Sequence, residues 1–414
     1  MKVFKFGGAS LKNAQAVRNM STIVQDYATE PLLVVVSAMD KTTNALERVV
    51  HNFLTAGDYK TEINRVIEYH KTLITELFEY PQDTCSTLDA LALQLNEKLH
   101  SKSDEDKLYD QVVCFGEIIS SVIVHQYLTS IGIKNVWKDA RHYIRTDSSY
   151  RDGNVDWITT ESQIKELKHE LKTSILLTQG FIGGDGSGNS TTLGREGSDF
   201  SAAIFASCLG AESVTIWKDV PGVMNADPKR LPAAVVFDEL PYKEAAEMTY
   251  YGASVIHPKT IKPLALKDIP LLVKSFVHPE LPGTRIHNCK VDHLPAMIVF
   301  KDNQCLISCK VTDFTFINEE QLSAIFHALS ELNIKLNVMQ NSAISFSFCI
   351  DFRENKVMAL IEKLQQNFEV YYNTNLTLVT IKNYDEQSFD NYRKKPGVIL
   401  EQSSRSTLQV LVKE

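Results

Sequence analysis

TQGFIGGDGSGNSTTLGREGSDFSA, residues 178–202, is the stretch from which the rest of the chain is read. A short apolar run, Ile175-Leu176-Leu177, leads into it and reads as a strand. A loop rich in Gly, Ser and Thr follows. Then come Arg195 and, four residues on, Asp199, at the start of an apolar run from Ala202 to Leu209 that reads as a helix. Backbone amides and hydroxyls at a helix start suit anions. An arginine there can clamp a carboxylate through two parallel hydrogen bonds. The stretch predicts a strand–loop–helix unit of an α/β fold, built to hold a small anionic substrate beside a phosphate.

The same alternation extends outward on both sides. Val3–Phe6 reads as a strand, Gly7-Gly8 as a turn, and residues 13–27 as a helix. Leu32–Ser37 (LLVVVS) is a continuous apolar run, as in a strand buried on both faces. Residues 45–130 are polar and helix-periodic with few glycines, which predicts a helical insertion over one end of the sheet. Strand patterns return at Asn135–Trp137, Ser213–Trp217 and Leu271–Lys274. Together they predict a mostly parallel central sheet with helices on both faces, spanning residues 1–290. Pro, Gly and polar residues concentrate over 278–298 and mark a boundary. Beyond it, strands at Gln304–Cys309, Lys335–Met339, Ala343–Asp351 and Glu369–Tyr372 alternate with helices at 319–332 and 355–367. That βαββαβ order predicts an α+β unit over 300–373. A shorter strand-rich unit over 374–414 follows (Leu376–Ile381, Gly397–Gln402, Thr407–Lys413), with no long helix between Ile381 and Gly397.

The 414 residues suffice for two or three domains, and 44% hydrophobic with 23% charged residues is the composition of a globular protein. A formal net charge of −8 argues against nucleic-acid binding. No apolar run comes near the ~20 residues of a membrane span. The start, MKVFKFGG, passes directly into a strand pattern, so no leader segment and a cytoplasmic location are expected. Cys85, Cys114, Cys208, Cys289, Cys305, Cys309 and Cys349 are scattered without a CxxC pair and read as reduced thiols rather than metal ligands.

Several further strand ends carry polar groups. Lys5 precedes Gly7-Gly8 and suits a transferring phosphoryl group, or is a surface lysine before a tight turn; there is no GxxxxGK[ST] element. Ser37, with Thr42, Thr43 and Asn44 beyond it, lies where ligands bind in open α/β sheets, and those three residues equally suit a helix N-cap. Glu117 stands in the apolar stretch VVCFGEIISSVIV, so it needs a partner, either a core arginine or the ammonium of a ligand. Lys218-Asp219, followed by Asp227-Pro228-Lys229, suits a nucleotide or makes a solvated charged turn. Gly252–Pro258 reads as a helix ending at a proline turn, with His257 structural.

In order and spacing, KFGGAS (5–10), VVVSA (34–38), FGE (115–117), TTLGREGSD (191–199), DVPGV (219–223) with DP (227–228), and GASVIHP (252–258) resemble the aspartate kinases. These carry the amino acid kinase fold with a C-terminal ACT-type regulatory region. The resemblance spans the chain and implies a monofunctional enzyme. It implies transfer of the ATP γ-phosphoryl group to the β-carboxylate of L-aspartate, with Mg²⁺ arriving on ATP and no protein metal site. Lys5 would bridge the γ-phosphate and the attacking carboxylate, Gly7, Gly8 and Ser10 would support phosphates, and Ser37, Thr43 and Asn44 would line the transfer site. Arg195 would clamp the α-carboxylate, Glu117 would receive the ammonium, and Asp199 would order the loop. Lys218, Asp219, Asp227 and Lys229 would face the nucleotide. Three departures stand out: Ala9 replaces the usual Thr, Lys218 replaces a Thr, and Ser254 replaces a nucleotide-binding Lys whose charge Lys218 would supply. Asn337 and Asn341-Ser342-Ala343 replace an acidic residue and a Thr-Ser-Glu motif of lysine-inhibited members. The effector is therefore open between threonine, another amino acid and none, with Ser342, Gln402 and Ser403 as possible contacts. The ACT resemblance also implies a homodimer or larger homo-oligomer. A different acyl kinase of this fold and a catalytically silent amino-acid sensor are the alternatives.

Overall fold

The computed structural model describes residues 1–27, 30–253, 256–312 and 315–413. They divide into two compact units. The first comprises Met1–Val223, Val236–Ala246 and Val255–Val291; the second comprises Met224–Val235, Glu247–Ser254 and Asp292–Glu414. The segments 224–235 and 247–253 thus fold with the C-terminal unit, whereas the sequence places them in the first domain.

The first half of the chain runs β1 (Lys2–Phe6), α1 (Ala14–Asp26), β2 (Leu32–Val36), α2 (Thr42–Leu54), α3 (Tyr59–Leu77), α4 (Gln82–Leu99), α5 (Glu105–Val113), α6 (Phe115–Ser130), β3 (Asn135–Lys138), α7 (Trp157–Lys165), β4 (Ile175–Gln179), β5 (Ile182–Gly184), β6 (Ser190–Thr192), α8 (Gly197–Leu209) and β7 (Ser213–Lys218). After it come β8 (Glu239–Pro241), α9 (Tyr242–Tyr250), α10 (Pro258–Ala265), β9 (Leu271–Ser275) and β10 (Thr284–His287). The strands form one eight-stranded sheet in the order β3-β4-β2-β1-β7-β9-β10-β8, parallel except where β10 meets β9. Every residue of β2 is buried, as its unbroken apolar run requires. Trp217 stacks on Phe6 at 5.9 Å and meets Phe4 edge-on, locking β7 against β1 in the core. Asn13, Asp58, Asp104 and Asp156 cap α1, α3, α5 and α7 by accepting a first-turn amide with the side chain.

The helical insertion is α2 to α6. Its last two helices run almost without a break over 105–130, a length and composition that match a membrane span, contrary to the reading that no run approaches it. Most of the apolar part of that stretch is buried inside the unit, as in a core helix. Two other readings are corrected. The loop within 178–202 contains a two-stranded ribbon, β5 paired with β6. Pro258 does not terminate a helix but begins α10, and the His257 side chain caps it by accepting from the Lys259 amide at 3.2 Å. Ser254 lies outside the described residues.

The C-terminal unit holds β11 (Met297–Lys310), α11 (Glu319–Glu331), β12 (Leu336–Asn341), β13 (Ser345–Asp351), α12 (Glu354–Leu364), β14 (Glu369–Lys382), α13 (Glu386–Arg393), β15 (Val398–Ser403) and β16 (Thr407–Lys413). Its six strands are antiparallel, in the order β12-β13-β11-β14-β16-β15. The strands expected at 369–372 and 376–381 are one strand, β14, with Asn375 at φ +57° inside it. β11 is likewise continuous and carries an irregularity between Lys301 and Gln304. A short helix, α13, of eight residues occupies the gap where no long helix was expected. Residues 297–301 pair with the second half of β14, so the strand beginning the first α+β unit also completes the second. α11 and α12 pack on one core (Ile307, Ile325, Phe348, Leu360), while Phe389 and Tyr392 of α13 pack on another (Val379, Ile381, Leu408, Val410).

Candidate active site

The strands carrying the polar motifs are neighbours, β4-β2-β1-β7, and their carboxyl ends surround a cavity of about 500 Å³. Four adjacent strands border it, and Glu117 comes from the first turn of α6. Lys5, Gly8, Ser37, Thr43, Glu117, Arg195, Asp199 and Lys218 all line the cavity. Backbone bonds lace the two central strand ends: the Ser37 amide donates to the Phe6 carbonyl and the Asp40 amide to the Gly8 carbonyl. A Cβ on Gly8 would lie 2.8 Å from the carbonyl oxygens of Ala38 and Asp40, so only glycine permits this approach.

Lys5 and Asp199 are both buried, with Lys5 Nζ 2.6 Å from one carboxylate oxygen; Lys218 Nζ stands 3.6 Å from the other. Burial pushes the Asp199 pKa up, but the two lysines outweigh it and hold the carboxyl below its ordinary range. Asp199 thus spaces two ammonium groups on one wall of the cavity. Glu196, in the left-handed region at φ +54°, begins α8 and turns its first residues into the cavity. The positive end of that helix favours an anion there.

Glu117 is the opposite case. It is buried, one oxygen accepts from the Ala38 amide at 3.4 Å, and the other has no partner among the described residues. Burial pushes its pKa up to about 8. Neither alternative raised by the sequence is met internally, since no core arginine pairs with it among the described residues. The Arg195 guanidinium likewise has no carboxylate partner among the described residues. A buried acid awaiting a cation and an arginine awaiting an anion, in one cavity, match the two charged ends of an amino acid.

Not every expected residue reaches the cavity. Ser10 is buried and its hydroxyl donates to the Trp217 carbonyl at 3.4 Å, bracing β7. Asn44 is exposed on α2, where its carbonyl accepts from Arg48. Gly7 and the exposed Asp219 do not line the cavity. Asp227 and Lys229 are exposed in the second unit, where the Asp227 carboxylate accepts the Lys229 amide in a turn. Ser342 is exposed in the turn after β12 and Gln402 and Ser403 are exposed on β15, at opposite edges of the sheet. Within one chain these three do not form a single effector site.

The sequence also leaves residues unnamed. Ser120, one turn after Glu117, donates to the Ser37 carbonyl at 2.6 Å and ties α6 to the end of β2. Asp110 and Gln111 of α5 hold β6: Asp110 accepts from the Thr192 amide and hydroxyl at 2.8 Å, and Gln111 bonds both backbone groups of Ser190. Glu117 and Ser120 share a helix face by their spacing of three, a signal readable in advance. The partners of Asp110 and Gln111 are about 80 residues away, and nothing local announces them.

Comparison with known proteins agrees with this geometry. Residues 1–275 match the model of the amino acid kinase family. Lysine-sensitive aspartokinase 3 of Escherichia coli is 31% identical over 355 residues, covering 84% of this chain and 78% of its own. The chloroplastic bifunctional aspartokinase/homoserine dehydrogenase 1 of Arabidopsis thaliana is 30% identical over 88% of this chain, which spans only 42% of that relative's length. Crystal structures of E. coli aspartokinase III, one with lysine and aspartate and one with aspartate and ADP, each superpose with a TM-score of 0.84 at 27% and 26% identity. They cover 100% of this chain and 96% of theirs. The chain belongs to the amino acid kinase family, and within it to the aspartokinases.

Proposed function

We propose that this chain transfers the γ-phosphoryl group of ATP to the β-carboxylate of L-aspartate, giving 4-phospho-L-aspartate and ADP. The observation that carries the reading is the pairing, in one cavity, of the partnerless Glu117 oxygen with the uncommitted Arg195 guanidinium. Glu117 receives the substrate's ammonium and Arg195 its α-carboxylate, which leaves the β-carboxylate for reaction. The aspartate and ADP held by the E. coli relative support the same assignment.

The attacking oxygen needs no general base, because a carboxylate with a pKa near ~3.9 is already ionised at neutral pH. It bonds to the γ-phosphorus as the bond to the β–γ bridging oxygen breaks, and ADP leaves with that electron pair. The obstacle is charge: an anion must approach a polyanion. Positioning and charge cancellation are the main levers in such transfers. Lys5, at the end of β1, lies between the acceptor and the triphosphate, and Lys218 adds a second ammonium on the phosphate side. Mg²⁺ enters on ATP. Asp199 is taken up by two lysines and Glu117 by the substrate's ammonium, so phosphate oxygens and water would supply most ligands of the metal.

The decisive experiment is ATP- and Mg²⁺-dependent hydroxamate formation from L-aspartate, with glutamate, carbamate and acetate as competing acceptors. Product from aspartate alone is expected. Product from another acid alone would make this a different acyl kinase, and none from any acid would make it a sensor. A place early in lysine, threonine and methionine synthesis, a cytoplasmic location and a homodimer are proposed with this activity.

A further inference from the structure

Arg151 has no role in the mechanism above, yet its backbone is held in a conformation that non-glycine residues seldom adopt. Its φ is +67°, in the left-handed region that disfavours a side chain. The Arg151 amide donates to both oxygens of Asp110, at 3.1 and 3.0 Å. The same buried carboxylate holds Thr192, three residues before Arg195. The Arg151 carbonyl also lies 3.5 Å from where a Cβ of Gly194 would stand. The backbone of Arg151 is thus fastened beside the 192–195 segment, and the residue is part of the cavity lining.

The guanidinium itself is only lightly held. It rests 4.2 Å above the ring of Tyr109 and pairs with Glu105 at 3.3 Å and with Asp106. Those two acids are 67% and 62% exposed. Exposed pairs of this kind contribute little, because water screens them. Tyr109 is fixed from its other end, its hydroxyl donating to Glu47 at 2.7 Å, and so forms a stable platform.

We propose that Arg151 is a second carboxylate-binding arginine, which leaves Glu105 and Asp106 and joins Arg195 on the α-carboxylate of the amino-acid substrate. The inference rests on the aspartate kinase reading and extends its acceptor site. A carboxylate partly dehydrated in the cavity gains more from a charge-assisted, two-pronged bond than solvent-exposed Glu105 and Asp106 do. A rigid backbone with a loosely held side chain is the arrangement such an exchange requires.

The test is steady-state kinetics of the full chain carrying Arg151→Gly or Arg151→Lys. Glycine suits φ +67°, so Arg151→Gly should match or exceed the wild type in melting temperature. Its KM for aspartate should rise about tenfold or more with KM for ATP unchanged, and Arg151→Lys should fall between. Aspartate α-amide, which lacks the charge Arg151 would bind, should lose less against aspartate in Arg151→Gly than in the wild type. An unchanged aspartate KM, or equal rises for ATP and aspartate, would overturn the assignment. Wild-type protein inactive on aspartate would instead sink the kinase reading, and this inference with it.

Discussion

Glu117 shows how one residue ties the chemistry to pH. Its carboxyl is held neutral up to about 8 by burial, whereas the form that receives an ammonium is the carboxylate. Substrate must therefore displace a proton at neutral pH. The KM for aspartate should fall as pH rises from 6 towards 8, by up to about tenfold per unit. Glu117→Gln should raise that KM and flatten the slope. Michaelis constants measured across this range, in both proteins, would decide it. A wild-type KM independent of pH would refute the role. Lys218 makes the complementary case on the nucleotide side, because it shares Asp199 with Lys5. Lys218→Ala should raise KM for ATP several-fold while KM for aspartate stays put, and an unaltered ATP constant would leave Lys218 without a role at the phosphates. Glu117 was readable as a buried charge in want of a partner. Ser10 was misread, because sequence does not say whether a hydroxyl beside a Gly-Gly turn faces the ligand or the neighbouring strand.

Among the elements, α5 does the most for the site while carrying none of the motifs. Asp110 accepts four hydrogen bonds, from Arg151 and Thr192, and so joins the insertion to β6. Asp110→Ala would orphan buried donors and should destabilise the fold by about 3 kcal/mol, with a fall in kcat from a loosened 191–199 loop. Denaturant melts beside activity would show both, and a variant as stable as the wild type would remove Asp110 as a brace. α3 contributes a pH dependence of stability. His70 is fully buried and its pKa is lowered to about 4 by desolvation. Below about 6.5 the unfolded chain takes up a proton that the folded chain refuses, so stability should be lost as pH falls from 6.5 to 4, by up to roughly 3 kcal/mol. His70→Leu should flatten that acid limb in denaturant titrations at pH 7 and 5. From the sequence these elements were legible only together, as one helical insertion over 45–130. Their mutual ties were not, because a hydrogen bond spanning about 80 residues leaves no local pattern.

For the whole molecule, the C-terminal unit bears on feedback. Asn337, which the sequence singles out as a departure from the lysine-inhibited pattern, has its amide already engaged. Asn337 Oδ1 accepts from Lys301 Nζ at 2.8 Å, and its Nδ2 donates to Gln304 and Asp351 at 2.6 and 2.9 Å. Asp351, the carboxylate beside it, pairs with Lys301 at 2.8 Å. An ammonium of the chain's own thus sits among these groups, and free lysine should leave the kinase activity unchanged in titration. Inhibition by lysine at sub-millimolar concentration would refute this. The sequence by itself determined the parallel sheet, the helical insertion, the split C-terminal unit and most of the cavity lining. Those follow from apolar periodicity, strand length and turn residues, all local properties that a linear reading carries. Only the tertiary structure decided that β11 and β14 each serve two cores, that Asp227 and Lys229 fold with the second unit, and that Arg151 and Arg195 line one cavity. Strand pairing and buried polar contacts are chosen by the packing of distant segments, where burial raises the cost of every unmet partner, and that selection exists only once the chain has folded.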